Sequence, residues 1–437
     1  MSWTPFQMVI TAVFVIFIMG GIAVFALFGG MSRSSAVGSV VIWGTMDARM
    51  IEPVLTEMNG EDRAFENVTY IEKAPETYER DLLQAFASGK SPDMFLMDDT
   101  NAVSFRDKIV PVPSNIISQR NFNDNFIDEA QVFQFPDGII ALPLYVDPLV
   151  MYWNRDLFAG AGVASYPRAW SELSIIAPKM TALDTTSNVK RSAVALGAFD
   201  NVRYAKQILT ALFMQVGDSI DTFNIEGKLQ SKLGKGDATA GIETPAQAAL
   251  RFYTQFSNSA QSTYSWNRAL PNSFNAFASG DLGIYFGLAS DYIPLRTRNP
   301  NLAFDVALLP QTGSAKAPLT YGKITALAVP IGASNRTGAL IVLGKITGTS
   351  ASKKISQRVG LPSARRDLLQ SLPERASDSV FAQSALISRT WHDPDSASTN
   401  TIFKEMVEST ISGKLQLGEA ITNASAQLDD VYLRLYQ

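Results

Sequence analysis

Between Gly138 and Trp170 the chain reads GIIALPLYVDPLVMYWNRDLFAGAGVASYPRAW. No other stretch limits the possible folds as sharply. Ile139–Leu142 has the apolar, β-branched character of a strand, Pro143 predicts a break, and Leu149–Trp153 predicts a second strand entering a helix at Asn154. Tyr145 and Asp147 lie between the two strands, where the chain changes direction.

The bulk properties remove several classes of function. With 437 residues, 46% of them hydrophobic, the chain exceeds one core and predicts about two or three domains. A charged fraction of 18% and a net charge of −4 argue against a nucleic-acid partner, which needs a basic stripe. There is no Cys, so disulfides, thiol catalysis and Cys-ligated zinc are ruled out. With a single His, His392, neither a histidine metal site nor a His-dependent triad is expected, and no cofactor or metal is called for. Phe6–Phe28 is a tract of 23 residues without a charge. As a helix it would span roughly 34 Å, enough for a bilayer core, so residues 1–36 read as a single-pass membrane anchor and linker. A cleaved signal peptide, with Ser34-Ser35-Ala36 as the site, is the competing reading.

Past this segment, strands and helices alternate. Ser39–Trp43 and Val68–Ile71 predict strands, Ala48–Met58 an amphipathic helix, and Thr77 a cap for the helix Tyr78–Ser88 that Gly89 stops. Met94–Met97 predicts a third strand. This order implies an α/β fold with a mostly parallel sheet, and puts Gly44–Asp47 and Asp98–Asn101 on one rim, beyond the strands' carboxyl ends. From Asn154 to about Leu270 the pattern is mainly helical, and Lys228–Gly241 reads as an exposed loop. Asp281–Gly287, Phe304–Pro310 and Ile324–Ile331 predict further strands, followed by helices Thr337–Ile346, Thr401–Ser412 and Gly418–Leu435.

Several segments, met in order, resemble the maltose-binding-like extracellular solute-binding proteins of ABC importers. Tyr78–Met97 is similar to that family's helix–Gly–Pro–Asp–strand unit, and Tyr145–Phe158 resembles its crossing strand and Asn-Arg-Asp-Leu helix start. Phe274–Phe286 (FNAFASGDLGIYF) resembles its Phe-x-x-Gly-x-x-Ala-Met strand entry, with Ile284-Tyr285 in place of Ala-Met. Phe304–Gln311 carries the family's Leu-Pro, and Leu361–Arg366 resembles its Leu-Pro-x-Arg-Arg turn with one extra residue. The likeness runs through nearly everything after residue 38. It implies a two-lobed, type II-like periplasmic-binding-protein fold with discontinuous lobes, residues 37–144 with 325–380 and residues 147–322 with 385–437. Three hinge crossings would then fall near Tyr145, near Tyr321-Gly322-Lys323 and near Leu386–Trp391.

The same resemblance implies capture of a small polar solute, most simply a carbohydrate, for an ABC transporter permease, with the lobes outside the cell membrane. Asp147 is the first candidate contact, since a carboxylate accepts two hydroxyl hydrogen bonds. If it faces the cleft, its replacement by Ala should cost under about 1 kcal/mol of unliganded stability. Tyr145 beside it, Trp43 and Asp47 after the first strand, and Asp98, Asp99 and Asn101 after the third complete the candidates on one side. On the other, Trp266 sits among hydroxyls and reads as an exposed platform, while Tyr285 and Gly287 follow a strand, the glycine admitting close backbone approach. Tyr321 and Trp391 fall at the second and third crossings. Two other classes remain: a ligand-sensing ectodomain, and a glycosidase with two carboxylates about 5–10 Å apart, for which no motif speaks.

Overall fold

The computed structural model describes residues 37–235, 243–313, 315, 317–370 and 375–436, together with 15 and 17–19. The apolar tract Phe6–Phe28 thus lies almost wholly outside the described residues. Among those described, no helix is long and apolar enough to cross a membrane.

β1 (Val40–Gly44), β2 (Val68–Glu72) and β3 (Met94–Asp98) pair in parallel in the order β2-β1-β3. Each follows from its residues: Val40 and Ile42 alternate inward on β1, and Met94–Met97 is buried throughout. Asp47 caps the following helix Ala48–Glu61 by accepting the Arg49 N–H at 2.9 Å, and Ile51, Val54, Leu55 and Met58 form its buried stripe. Thr77 precedes helix Tyr78–Ala87 without capping it; its hydroxyl donates to Asp81 instead. Asp93, buried at the entry to β3, accepts from the Val41 N–H, the Ser334 hydroxyl and the Asn335 N–H, which fixes the strand to the distant helix Arg336–Ile346.

After the hairpin β4 (Gln134–Phe135) and β5 (Gly138–Ile139) comes β6 (Leu142–Asn154). It is one strand of 13 residues, not two strands broken at Pro143. The proline is accommodated by a bulge: β13 (Thr320–Ala328) pairs antiparallel with β6, Thr325 facing Tyr145 and Ala326 facing Pro143, so Leu144 is the extra residue. Its carbonyl is satisfied by the Ala364 N–H at 3.0 Å, from the Leu-Pro-Ser-Ala-Arg-Arg turn. Asn154 then caps helix Arg155–Gly160, accepting from the Asp156 and Leu157 N–H groups.

Beyond the crossing lie β7 (Ala182–Leu183), β8 (Val189–Val194), the hairpin β9 (Asp221–Phe223) and β10 (Leu229–Ser231), β11 (Leu282–Leu288), β12 (Phe304–Ala307) and β14 (Ser388–Arg389). β8 and β10 correct the expectations of a mainly helical stretch and of a plain loop. Residues 236–242 of that loop are outside the description. The sheet is mixed rather than mostly parallel. Its order is β2-β1-β3-β13-β6-β11-β8-β7, with β12 also on β6 and β14 on β13. β13 runs antiparallel to β3 and β6, β11 antiparallel to β6 and parallel to β8. Long strands β6 and β13 are therefore common to both halves of the sheet. The amino-terminal part of β6 pairs with β13, and its Leu149–Asn154 part lies between β11 and β12.

Candidate functional site

The two shared strands place chemistry on one face. Asp147 stands directly opposite Lys323 in the antiparallel ladder, and Tyr145 opposite Thr325. Side chains alternate along a strand, so Tyr145 and Asp147 share a face with Tyr321, Lys323 and Thr325, while Val146 and Ile324 turn to the opposite, fully buried side. Tyr321-Gly322-Lys323 lies within β13.

From this face the polar groups reach into both halves. Toward β3, the Lys323 ammonium pairs with Asp98 at 2.8 Å, and the Asp98 charge holds it above its usual range. The neighbouring Asp99 is buried. One of its oxygens accepts from the Thr390 hydroxyl at 2.6 Å and the Tyr321 hydroxyl at 3.2 Å, and burial, helped by the Asp98 charge, pushes its carboxyl up to about 7. Toward β11, Asp147 accepts the Ser290 N–H at 2.9 Å, and burial lifts its carboxyl to about 6 against the hydrogen bonds from Ser290. Next to Ser290, buried Asp291 accepts from the Tyr285 hydroxyl at 2.6 Å and pairs with Arg203 at 3.3 Å; burial raises it too. The Arg203 guanidinium lies 4.7 Å over the Phe274 ring, and its side chain stays 40% exposed. An arginine has five N–H donors, so one so held keeps several free for a bound molecule.

The sequence candidates divide accordingly. Tyr145, Asp147, Asp98, Asp99 and Tyr321 come together on or beside the shared strands. Trp43 and Asp47 follow β1, and Asn101 ends the short turn after β3; all three are half-buried, on parallel neighbouring strands. Lys73 sits 3.7 Å over the Trp43 ring, and Asp47 is occupied as helix cap and partner of Arg49. Trp266 is corrected: it is 1% exposed, with its indole N–H on Asn201, and is core rather than an exposed platform. Tyr285 is also enclosed, stacked on Tyr152 with centroids 5.7 Å apart. Gly287 is buried and leaves no room for a side chain of its own. A Cβ there would lie 2.4 Å from the Tyr285 ring and 2.8 Å from the Asp291 carboxylate. Trp391 is buried against Phe403.

Lys323, Arg203, Asp291 and Glu129 were missed as candidates. Lys323 alone carried a usable signal, being placed at a crossing; the others gain meaning only from partners far along the chain. Among the described residues no group of three or more His, Asp or Glu side chains is arranged to hold a metal.

Comparison with known proteins agrees with this architecture. Candidate binding proteins of Brucella abortus (strain 2308) and Brucella suis biovar 1 (strain 1330) are 22% identical over 281 residues, 63% of this chain. The match spans 62% of the length of these curated relatives. Among solved structures, the cyclic α-maltosyl-1,6-maltose binding protein from Arthrobacter globiformis superposes with a TM-score of 0.74 at 14% identity, over 91% of this chain and 99% of that one. A cyclo/maltodextrin-binding protein complexed with maltotetraose gives 0.72 at 13% identity, over 91% and 98%. An ABC transporter solute-binding protein from Thermotoga lettingae, bound with α-D-tagatose, gives 0.65 at 17% identity, over 90% and 99%. At these identities the likeness establishes the fold, which is the α/β two-lobed solute-binding fold. The sequence profile of the bacterial extracellular solute-binding proteins matches residues 58–344. A match over that much of the sequence, on this fold, makes the chain a member of the bacterial extracellular solute-binding protein family.

Proposed function

We propose that the protein captures a neutral carbohydrate between two lobes and delivers it, chemically unchanged, to the permease of an ABC importer. The lobes are residues 37–144 with 325–380 and residues 147–322 with 385–437, crossing at β6, at β13 and at the segment through β14. One observation carries the reading: the paired crossing strands present Tyr145, Asp147 and Lys323 on one face, between polar groups from both halves. Such a face is the floor of a cleft, and closure is favoured by contacts that a solute makes only when both lobes reach it. Lys323 is paired with Asp98 and Arg203 with Asp291, so among the described residues of this face no unpaired cationic cluster awaits an anion. Carboxylates, amide-like donors and aromatic rings suit hydroxyl groups. The neighbours crystallised with maltotetraose and α-D-tagatose support a sugar.

Calorimetric titration of the purified protein with mono- and oligosaccharides, followed by chromatography of the recovered sugar, tests this. Saturable binding with intact sugar is expected; cleavage, or binding of none while a peptide or other metabolite binds, refutes it. The uncharged tract Phe6–Phe28 supports an uncleaved anchor that keeps the lobes at the outer face of the cell membrane. Intact mass of the mature protein and resistance to carbonate extraction test that part separately.

A further inference from the structure

The proposed hinge contains two acids whose carboxylates are closed off from solvent. Glu129 is 2% exposed and Asp99 is 1% exposed. Each engages the third crossing through one oxygen only: the Ser388 hydroxyl donates to Glu129 Oε2, and the Thr390 hydroxyl to Asp99 Oδ2. Their other oxygens, Glu129 Oε1 and Asp99 Oδ1, are buried without a hydrogen-bond partner. Both acids also abut β13. Tyr321 donates to Asp99, and the Glu129 carboxylate is pressed so closely on Gly322 that a Cβ there would lie 2.3 Å from Oε2.

The charges around them do not compensate. Lys323 is committed to Asp98, and Arg389 to Asp128, which Arg366 shares. Asp98, Asp147 and Asp393 add negative charge nearby, and Asp393 is already matched by buried Lys206. Two neighbouring carboxylates out of water, without a cation of their own, cannot both ionise at modest cost. An unpartnered buried oxygen on each is where a proton can reside.

We infer that Asp99 and Glu129 form a coupled proton-binding site inside the hinge, holding a proton that is released as the pH rises. Burial, then the charge of a neighbouring aspartate, opposes ionisation at each: Asp98 acts on Asp99, which rises to about 7, and Asp99 acts on Glu129, held well above the usual carboxylate range. A raised carboxyl favours the folded state at low pH and loses that contribution as pH climbs through the folded value. The Ser388 and Thr390 hydroxyls donate to the carboxylates and favour their ionised forms, so they offset part of this loss, and the rest is the cost of charge enclosed between β13 and the third crossing. The proton thereby makes the stability of the hinge pH-dependent, whatever solute is bound.

The test is urea unfolding of the full chain between about pH 5 and about pH 9, for wild type, Asp99→Asn, Glu129→Gln and the double variant. The wild-type unfolding constant is expected to rise about tenfold per pH unit for each acid that the folded form alone holds protonated, levelling off above about pH 7 for Asp99 and at higher pH for Glu129. A coupled site predicts that Asp99→Asn removes its own share of that rise and also shortens the Glu129 share, because burial still opposes Glu129 but the Asp99 charge no longer does, so the stability the double variant gains is less than the sum of the two single gains. Independent acids would instead remove separate, additive shares, and that result overturns the inference. Infrared titration of the unmodified protein is a second reading that does not depend on variants folding. A protonated-carboxyl carbonyl band should vanish in the same pH range and shrink in Asp99→Asn, and its absence at low pH would also refute the site. Recovery of stability at high pH by sodium or potassium, selectively over the bulky tetramethylammonium ion, would assign the site to a metal cation and overturn it likewise.

Discussion

Replacing Asp147 separates its charge from its hydrogen bond. The carboxyl is raised from 3.8 to about 6, chiefly by burial. Below about pH 4 folded and unfolded forms are both protonated; between about pH 4 and about 6 only the folded form is, so stability falls as pH rises, and above about 6 the loss is complete. At about 1.4 kcal/mol per pH unit the loss amounts to about 3 kcal/mol. Asp147→Asn retains an acceptor for the Ser290 N–H but never ionises, so it should gain about 3 kcal/mol relative to wild type between about pH 4 and about pH 7. Asp147→Ala leaves that N–H without its acceptor, at a cost of about 1–3 kcal/mol. It should therefore be less stable than wild type at about pH 4.5 and near parity at about pH 8, where the wild type bears the buried charge. The expectation of under about 1 kcal/mol, drawn for a cleft-facing residue, is revised upward by the 8% exposure and the Ser290 bond. Urea unfolding of the three proteins across this range, without sugar, is the assay. Parallel profiles for Asp147→Asn and wild type would refute the argument.

Three further outcomes follow from the geometry. Lys206→Ala strands Asp393 in a site where both partners are buried and 2.8 Å apart, and should cost about 3–5 kcal/mol in urea unfolding; a cost below about 1 would show that water reaches the pair. Gly322→Ala drives a methyl group into the Glu129 carboxylate and should cost about 1–3 kcal/mol, read as a lowered Tm, with no loss expected only if Glu129 can swing away. Arg203→Gln should cost about 1–3 kcal/mol, since Asp291 is buried and loses its cation but keeps the Tyr285 hydroxyl. It should weaken sugar affinity about tenfold by calorimetry, as for loss of one hydrogen bond from a charged donor, and unchanged affinity would remove Arg203 from the site.

The parallel strands β1–β3 were legible because buried residues alternate or run together and Gly, Pro and Asp punctuate them. β6 was legible only in pieces. A local reading treats Pro143 as a strand breaker, whereas the bulge at Leu144 removes the need for a regular ladder there, and the partner that makes this possible is β13, far along the chain. β8 escaped notice because Lys190, Arg191 and Ser192 hide its apolar residues; the first two point outward, and Ser192 is buried with its hydroxyl 3.0 Å from that of Ser265. The same hydroxyl explains the error at Trp266. The polar run around it looks solvent-facing, yet Ser265 Oγ accepts the N–H groups of Ala193 and Val194 at 3.0 Å, so the polarity serves buried backbone. Tyr145 and Asp147 drew attention from an expected gap between two strands; the structure closes that gap into β6, where both share a face with Lys323. Arg203, Asp291 and Glu129 were not legible, because nothing in their own segments distinguishes a cleft or hinge residue from a surface charge.

The shared strands also say where the two halves can move. β6 and β13 are hydrogen-bonded along their common length, so the halves cannot part without breaking a ladder that both own. A regular ladder resists bending, whereas a bulge is a point of extra twist. The register shift opposite Leu144 is the irregularity in this ladder, and it lies one residue before Tyr145 and three before Asp147. The third connection has only the two-residue pairing of β14 with β13, and its side chains lean on Asp99, on Glu129 and, through Arg389, on Asp128. On the proposed hinge, rotation of the lobes would centre on the bulge, with Ser388–Thr390 as the more compliant connection. A solute touching Asp147 and Lys323 would then act close to the axis, where contact geometry changes least. Discrimination between open and closed forms would fall to groups farther out, such as those on the Arg203 side.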